Sequence, residues 1–399
     1  MQDVTIASFN VKNLIGADQE YYKFQTYTPE EYAWKADWMA DQLLALDADV
    51  VGFQEIFEEP ALQAVIDETT VRADVLNDAA QPDKTKPYRK KAIFRRLESD
   101  GYRGAELAFA PNAADAGIPG ERRPGVAILS RLGFAGAPEI IQDLSQPLVI
   151  PFSPLRGLDD GDAGQFILRR LSRPILKVRI PMGGQVVTVF NCHLKSKLGE
   201  FLKPEGAAYA PEADLTRYDP LGRAMGALRA ATRRMAEAWV LRQAIVTELK
   251  AGNPVIAMGD YNDGEHAVSS EIIAGERPFK NYAWMLRHDA EHRSDRYTTD
   301  ENEQITEAVE RVRLRSAEKL FVRKSLRDMV YTSAFGGVFE SIDQIWLSRH
   351  FDPEFESRIG DMTYFSVLND HLTDGSHPEA PYNKLASDHG QIMAHLRVT

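Results

Sequence analysis

Cysteine is nearly absent: Cys192 is the only one in 399 residues. That excludes an internal disulfide and any cysteine-rich zinc or iron–sulfur centre, and leaves Cys192 most simply as a buried strand residue. Long hydrophobic runs are missing too, since none approaches the roughly 20 apolar residues that a membrane-spanning helix needs. The first residues lack a basic region followed by an apolar one. The chain as written therefore reads as cytoplasmic, or as exported if a signal region was cut away ahead of Met1. No repeat of fixed period is present. Positive charge is in deficit, with 47 Lys and Arg against 59 Asp and Glu and a net charge of −12. Polyanions are normally held by a positive field, so this balance disfavours loose binding to long nucleic acid. Local charge differs, however: basic residues gather in Lys84–Arg103, Arg217–Arg242 and Arg311–Arg327. A cleft rich in carboxylates would itself account for part of the acidity.

The sequence does contain a repeated pattern of another kind. With 44% hydrophobic residues a packed core is assured, and six short apolar runs each end in a residue suited to phosphate or metal chemistry. Thr5–Phe9 ends in Asn10, Val50–Gln54 in Glu55, and Val186–Cys192 in His193. Val255–Gly259 leads into Asp260-Tyr261-Asn262, Ser341-Ile342 into Asp343, and Leu385–Ser387 into Asp388-His389.

Between these runs the chain alternates. Thr28-Pro29-Glu30-Glu31 is a capping box with proline at the first helical position. Trp34, Trp38, Met39, Leu43 and Leu46 follow at helical spacing before the strand ending in Glu55. A second helix spans about Arg223 to Lys250, with Leu228, Ala231, Met235, Trp239, Ile245 and Leu249 as its apolar stripe and Gly252-Asn253-Pro254 as its stop. Gly125–Ser130 and Pro174–Ile180 read as strands. Loops or excursions occupy 112–123, 151–165, 199–222 and 369–384, and Asn302–Lys324 reads as a charged helix. No boundary resembles an interdomain linker, so a single two-layered domain over 1–399, with insertions near 199–222 and 276–335, is the economical organisation.

Side chains two apart on a strand point the same way, so Asp260 and Asn262 project together from a strand end. The pair suits an attacking water beside a phosphate oxygen, the carboxylate accepting a proton and the amide stabilising phosphoryl charge. Glu55 and Asp388 are hard oxygen ligands for magnesium or manganese. His193 and His389 add two imidazoles, and Asp343 is an orienting partner for one, fixing its tautomer and favouring its charged form. The combination suits metal-assisted hydrolysis of a phosphate ester.

In order and content the segments Phe9-Asn10-Val11, Gln54-Glu55, Asn191–Ser196, Gly259–Asn262, Ser341–Ile345 and Ser387-Asp388-His389 resemble the endonuclease/exonuclease/phosphatase superfamily over about the whole chain. Arg173-Pro174 resembles the arginine that many members place on phosphate. The resemblance implies an α+β fold, a four-layered sandwich of two mixed, mostly antiparallel sheets flanked by helices, with the active site at one end of the sheets. It implies Glu55 as principal metal ligand with Asn10 and Asp388 nearby, Asp260 acting on water, Asn262, His193, Asn10 and Arg173 on the phosphate, and Asp343 paired with His389. The implied cofactor is magnesium, with manganese or calcium as alternatives.

Each residue has a plainer reading. Asn10 is a turn former, Asp260 and Asn262 an Asx turn after a strand, His193 a satisfied core histidine, and Arg173 a surface ion-pair partner. Arg123 competes with Arg173, weakly. The run Arg311–Arg327, interspersed with Glu307, Glu310 and Glu318, reads as a solvated helix face, and the aromatics Tyr21–Tyr27 as a packed loop in preference to a base-stacking platform. The spelling Phe9-Asn10-Val11-Lys12 and the presence of His193 disfavour abasic-site repair. His193–Lys197 with Gly259–Asp263 resembles the bacterial nucleases of the superfamily most closely. The expected substrate is nucleic acid or another phosphodiester. The alternatives are a phosphatase or phospholipase/sphingomyelinase-type esterase on a smaller phosphate ester, and a noncatalytic binding protein that would have lost Glu55, Asp260 or His389. Oligomeric state is left open.

Overall fold

The computed structural model describes residues 1–22, 25–79, 99–114, 121–151, 164–278, 281–287, 295–322, 330–373 and 385–399. Most of Lys84–Arg103 and of the excursions 151–165 and 369–384 lies outside the described residues. The chain runs β1 (Gln2–Leu14), α1 (Pro29–Leu46), β2 (Val50–Ile56), α2 (Glu59–Ala79), β3 (Glu106–Ala110), β4 (Gly125–Ser130), β5 (Glu139–Pro151), β6 (Gln165–Met182) and β7 (Gln185–His193). It continues through α3 (Pro220–Lys250), β8 (Val255–Asp260), α4 (Val268–Ala274), α5 (Thr299–Val312), β9 (Leu314–Ser316) and α6 (Ala317–Val322). The last strands are β10 (Ser333–Phe335), β11 (Val338–Glu340), β12 (Asp343–Ser348), β13 (Gly360–Leu368) and β14 (Gln391–Val398).

Two six-stranded sheets result, in the orders β13-β14-β1-β2-β4-β3 and β5-β6-β7-β8-β12-β9. Each contains one parallel pair, β1 with β2 and β7 with β8, and is otherwise antiparallel. A parallel pair needs a helical crossover. α1 supplies it in the first sheet, opened by the Thr28–Glu31 capping box, and α3 supplies it in the second, started by Asp219, whose carboxylate accepts from the Leu221 and Gly222 amides.

The sheets pack face to face over an aliphatic core that includes Ile6, Val50, Ile128, Val178, Ile256 and Ile345. A second core lies between the first sheet and α1 and α2, and a third between the other sheet and α3 and α4. The order is helix, sheet, sheet, helix: a four-layered sandwich, where alternation and helical period alone suggested two layers. Among the described residues no helix is long and apolar enough to cross a membrane. Cys192 is a buried residue of β7.

A polar bolt joins the sheets. The Asn191 amide on β7 donates to the Phe53 carbonyl at 2.9 Å and the Ala127 carbonyl at 2.8 Å in the opposite sheet, and Gln54 Nε2 donates back to Asn191 Oδ1 at 2.7 Å. Gly52 permits the approach, since a Cβ there would stand 2.7 Å from Met258 and 3.0 Å from Asn191. Each buried bond contributes about 1 kcal/mol, and leaving one partner unmatched costs more, which ties the strand ends above the bolt to a fixed spacing.

Three local expectations are corrected. The buried face of α3 departs from the expected stripe over its first two-thirds: Leu228 and Trp239 are exposed, whereas Arg234 and Glu237 are buried with Ala230 and Leu241, and only the end of the stripe, Ile245 and Leu249, is buried as expected. Asn302–Lys324 is not one helix, because Arg313-Leu314-Arg315-Ser316 alternates charged with buried side chains and joins the second sheet as β9. Arg173-Pro174 lies inside β6 and not before a strand; proline lacks an amide to donate, and pairing with β5 is interrupted between Asp143↔Arg170 and Ile141↔Ile175. The aromatic loop is packed, with Tyr21 and Tyr27 buried against Phe57 and Ile15, but Tyr22 is only half-buried.

Candidate active site

Sheet register assembles the site. In the second sheet Asp260 is paired with His193 on one side and Asp343 on the other, so three neighbouring strands present these side chains in one row. In the first sheet Asn10 is level with Gln54, and Glu55 follows in a bulge where pairing with β4 shifts. Glu55 has φ 67°, in the left-handed region. Such a backbone is unfavourable for glutamate and is retained where the surroundings dictate it. The bulge re-aims the carboxylate out of the sheet's alternation.

Asp260 is the hub. Its Oδ2 accepts from Asn10 Nδ2 at 3.0 Å and from Asn262 Nδ2 at 3.3 Å and lies 3.2 Å from His193 Nε2, while Oδ1 accepts from the Asn262 amide at 2.8 Å. Asn10 comes from one sheet and the other partners from the second, so these bonds close the gap between them. Asn10 also donates to Glu55 Oε1 at 3.4 Å, and His193 Nε2 lies 4.0 Å from the same oxygen. Ser387 Oγ donates to the Asn10 carbonyl at 2.6 Å and accepts from the His389 amide at 3.0 Å, which carries the last loop into place. His389 Nδ1 then bonds Asp343 Oδ2 at 2.8 Å, and its Nε2 stands 3.9 Å from Asp260 Oδ2. Arg173 Nη1 and Asn262 Nδ2 both donate to the Leu194 carbonyl, at 3.2 Å and 3.0 Å. Asp388 stands apart from this network: its side chain is half exposed and its ion partner is Lys12 at 3.9 Å.

The sequence model of the Endonuclease/Exonuclease/phosphatase family matches residues 7–389, from just before Asn10 to His389. The chain belongs to this family. Solved structures with a similar chain trace include an endonuclease/exonuclease/phosphatase family protein from Bacteroides thetaiotaomicron, 14% identical over 99% of this chain and 97% of that one, TM-score 0.44. They also include a mannosyl-6-phosphatase from the same organism, 14% identical over 99% of both chains, TM-score 0.43, and the human Nocturnin catalytic domain with bound sulfate, 13% identical over 100% of this chain and 95% of that one, TM-score 0.42. No curated protein matches in sequence.

Enzymes of the endonuclease/exonuclease/phosphatase family hydrolyse phosphoric esters and generally depend on a divalent metal. The electrostatics bear on where one would fit. Burial pushes the Asp260 carboxyl up to about 7, helped by Asp343 and Glu55 and opposed by His389. Burial works against a charged His389 ring, but Asp343 and Asp260 outweigh it and hold the ring well above the usual histidine range. His193 goes the other way: burial, then Arg173 and His389, keep it neutral. Its Nε2 faces a carboxylate and so carries the proton, leaving Nδ1 buried with no partner among the described residues.

Ligand-type atoms of Asp260, Asp343 and His389 lie within 4.8 Å of one another. A protonated imidazole has no lone pair to give a metal, so this trio is better described as sharing protons. Glu55 differs. Its carboxylate is 19% exposed, and it adds to the negative charge crowding Asp260. A divalent cation at Glu55 would relieve that crowding, and the residues there fit one. Asn10, as placed, turns its amide nitrogen toward Glu55 and gives Oδ1 to the Lys12 amide at 3.0 Å. To ligate through oxygen it would have to turn over.

One residue near the site has no sequence signal. Lys35 is fully buried in α1 and donates to the Val11 carbonyl at 2.8 Å and the Leu385 carbonyl at 3.1 Å, joining the strand of Asn10 to the loop of His389. Burial, with Lys12 beside it, lowers its pKa to about 7. Between Trp34 and Ala36 it reads as an ordinary surface lysine; only its coincidence with the apolar face of the helix marks it.

Proposed function

We propose that this protein is a divalent-metal-dependent phosphodiesterase acting on nucleic acid. The observation that carries the reading is the single cluster in which Asn10 and Asn262 donate to Asp260, with His193 Nε2 3.2 Å from the same carboxylate, beside the His389–Asp343 pair. In hydrolysis a bond forms from water to phosphorus, one phosphorus–oxygen ester bond breaks, and the water gives up a proton. Asp260, raised to about 7, has the right basicity to accept that proton near neutral pH. His389 lies 3.9 Å from Asp260 and so acts on the same side of the phosphorus, its charge held by Asp343. Arg173, with one N–H on the Leu194 carbonyl beside Asn262, keeps its other N–H groups for the phosphoryl oxygens, and His193 lines the same side. Glu55, with Asn10, would hold the cation, which would neutralise the phosphoryl group and its leaving oxygen.

The choice of a diester with flanking phosphates rests on Tyr22. Arg123 lies over its ring at 5.4 Å, and Arg173 is the positive charge that acts most strongly on its hydroxyl. Among the described residues neither arginine pairs with a carboxylate, whereas neighbouring Arg122 is neutralised by Glu58 at 2.8 Å. Two guanidiniums without a carboxylate ion pair among the described residues, beside a partly buried aromatic, suit a phosphate and a base adjoining the scissile bond. The net charge of −12 favours the second reading, a smaller phosphate ester.

Initial rates on plasmid DNA, RNA, sphingomyelin, a bis-aryl phosphate and an aryl monophosphate under magnesium separate the two. Nucleic-acid cleavage is expected, with Arg123→Ala lowering kcat/KM for an oligonucleotide relative to the bis-aryl ester roughly tenfold, the size of one charge-assisted contact. Turnover of the monophosphate or sphingomyelin, with no nucleic acid cut at any salt concentration, overturns the choice of substrate.

A further inference from the structure

Resting on that reading of the site, we propose that Arg234 and Glu237 of α3 are positioning residues, a buried charged clamp that sets Arg173, His193 and Asn262 against the substrate. The two are three apart and so share a helix face. Arg234 is 7% and Glu237 1% exposed. Glu237 Oε1 accepts from the Ser172 amide at 2.7 Å and Oε2 from the Lys195 amide at 2.8 Å. One carboxylate thus grips β6 next to Arg173 and the end of β7 two residues past His193. Arg234 Nη1 donates to the Lys195 carbonyl at 3.2 Å, so this one residue is held at both its amide and its oxygen. The remaining nitrogens fork onto Asp263, next to Asn262: Nε to Oδ2 at 2.7 Å and Nη2 to Oδ1 at 3.2 Å.

Three separate chain segments therefore meet on one helix face, each one or two residues from a group that faces the phosphate. Their far sides converge as well, because Arg173 and Asn262 both donate to the Leu194 carbonyl. The peptide 194–195 is fixed from below by the clamp and organises the phosphate-side donors above it. Burying two charges is expensive, and apolar residues of similar volume would stabilise α3 at least as well. Fixed polar geometry is what the charges supply that packing alone would not. Catalysis loses rate steeply when donors shift by a fraction of an ångström to an ångström.

The same helix provides a control. Glu248, also buried, accepts from Thr188 Oγ1 at 3.0 Å and Asn253 Nδ2 at 2.6 Å and pairs with Lys177 at 2.6 Å, so it holds β7 and β6 away from their His193 and Arg173 positions. Glu237→Gln is nearly isosteric but has one acceptor oxygen for two amides, so either Ser172 or Lys195 loses its bond. The expected result on the bis-aryl phosphate is a fall in kcat of about 10- to 100-fold with KM changed far less, while Glu248→Gln lowers the melting temperature similarly and keeps kcat within about twofold. Arg234→Lys, which keeps the charge and loses the fork, should show the same kcat-weighted defect in a milder form, and serves if Glu237→Gln does not fold. Backbone hydrogen exchange gives a reading independent of turnover: protection should fall in 171–175 and 193–197 in Glu237→Gln and not in Glu248→Gln. Equal losses of kcat and protection in the two variants, or full activity in Glu237→Gln, overturn the clamp. A wild-type protein that hydrolyses no phosphate ester overturns the reading of the site, and the exchange pattern then decides the clamp alone.

Discussion

Asp260→Asn is expected to fold normally and to lose roughly 10³-fold in kcat, about 4 kcal/mol of barrier. Asp260 Oδ2 is surrounded by donors, namely Asn10 Nδ2, Asn262 Nδ2 and His193 Nε2, and Oδ1 faces the Asn262 amide. An asparagine there must turn its own NH₂ toward one of these sets, so a donor meets donors. It also cannot take a proton from water. The fold gains in partial compensation, because a buried carboxylate crowded by Asp343 and Glu55 becomes neutral. Kinetics on the bis-aryl ester together with thermal melting check this. A melting temperature within a few degrees of wild type and a rate near zero are the expected pair; full activity refutes the role of Asp260.

Asp343→Asn should cost about 10²- to 10³-fold in kcat by discharging His389. The imidazolium owes its charge to Asp343 and Asp260 against the opposing effect of burial. With the 2.8 Å partner made neutral, burial regains weight and the ring loses its proton at lower pH. The sign is definite. In wild type His389 stays protonated above the pH at which an ordinary histidine titrates, and in the variant that pH moves down. Histidine ring resonances followed through a pH titration report it directly. A ring that titrates at the same pH in both proteins would show that Asp343 only shapes the loop.

The parts of this site legible in sequence share a cause. A polar residue set against an apolar run is costly unless it has a purpose, so Asn10, Glu55, His193, Asp260 and Asp343 stand out in sequence, although Asn10 proves to lie inside β1 and Asp343 to begin β12. The crossover helices are legible by their caps and stops, at Thr28–Glu31 and at Gly252–Pro254. What escapes is whatever depends on a partner far away in the chain. Arg234 and Glu237 look like solvated charges on a helix already rich in arginine, and only the neighbouring strands reveal that this face is inside. Lys35 is hidden in the same way. The bulge at Glu55 leaves no mark in composition, since a glutamate with positive φ is dictated by its surroundings and not by its own preference. Asp388, equally polar and equally well placed in its segment, points toward Lys12 and solvent, which neighbouring residue types do not foretell.

A metal-assisted hydrolytic centre around Asp260 and Glu55 requires turnover to follow metal occupancy, which one titration measures directly. Protein stripped with a chelator and dialysed is assayed on the bis-aryl phosphate as magnesium is added back. The stripped protein should show no measurable turnover and a saturable return to the full rate, with Glu55→Gln needing much more magnesium to reach whatever rate it attains. Full turnover by the stripped protein before any metal is added would contradict a metal-assisted centre.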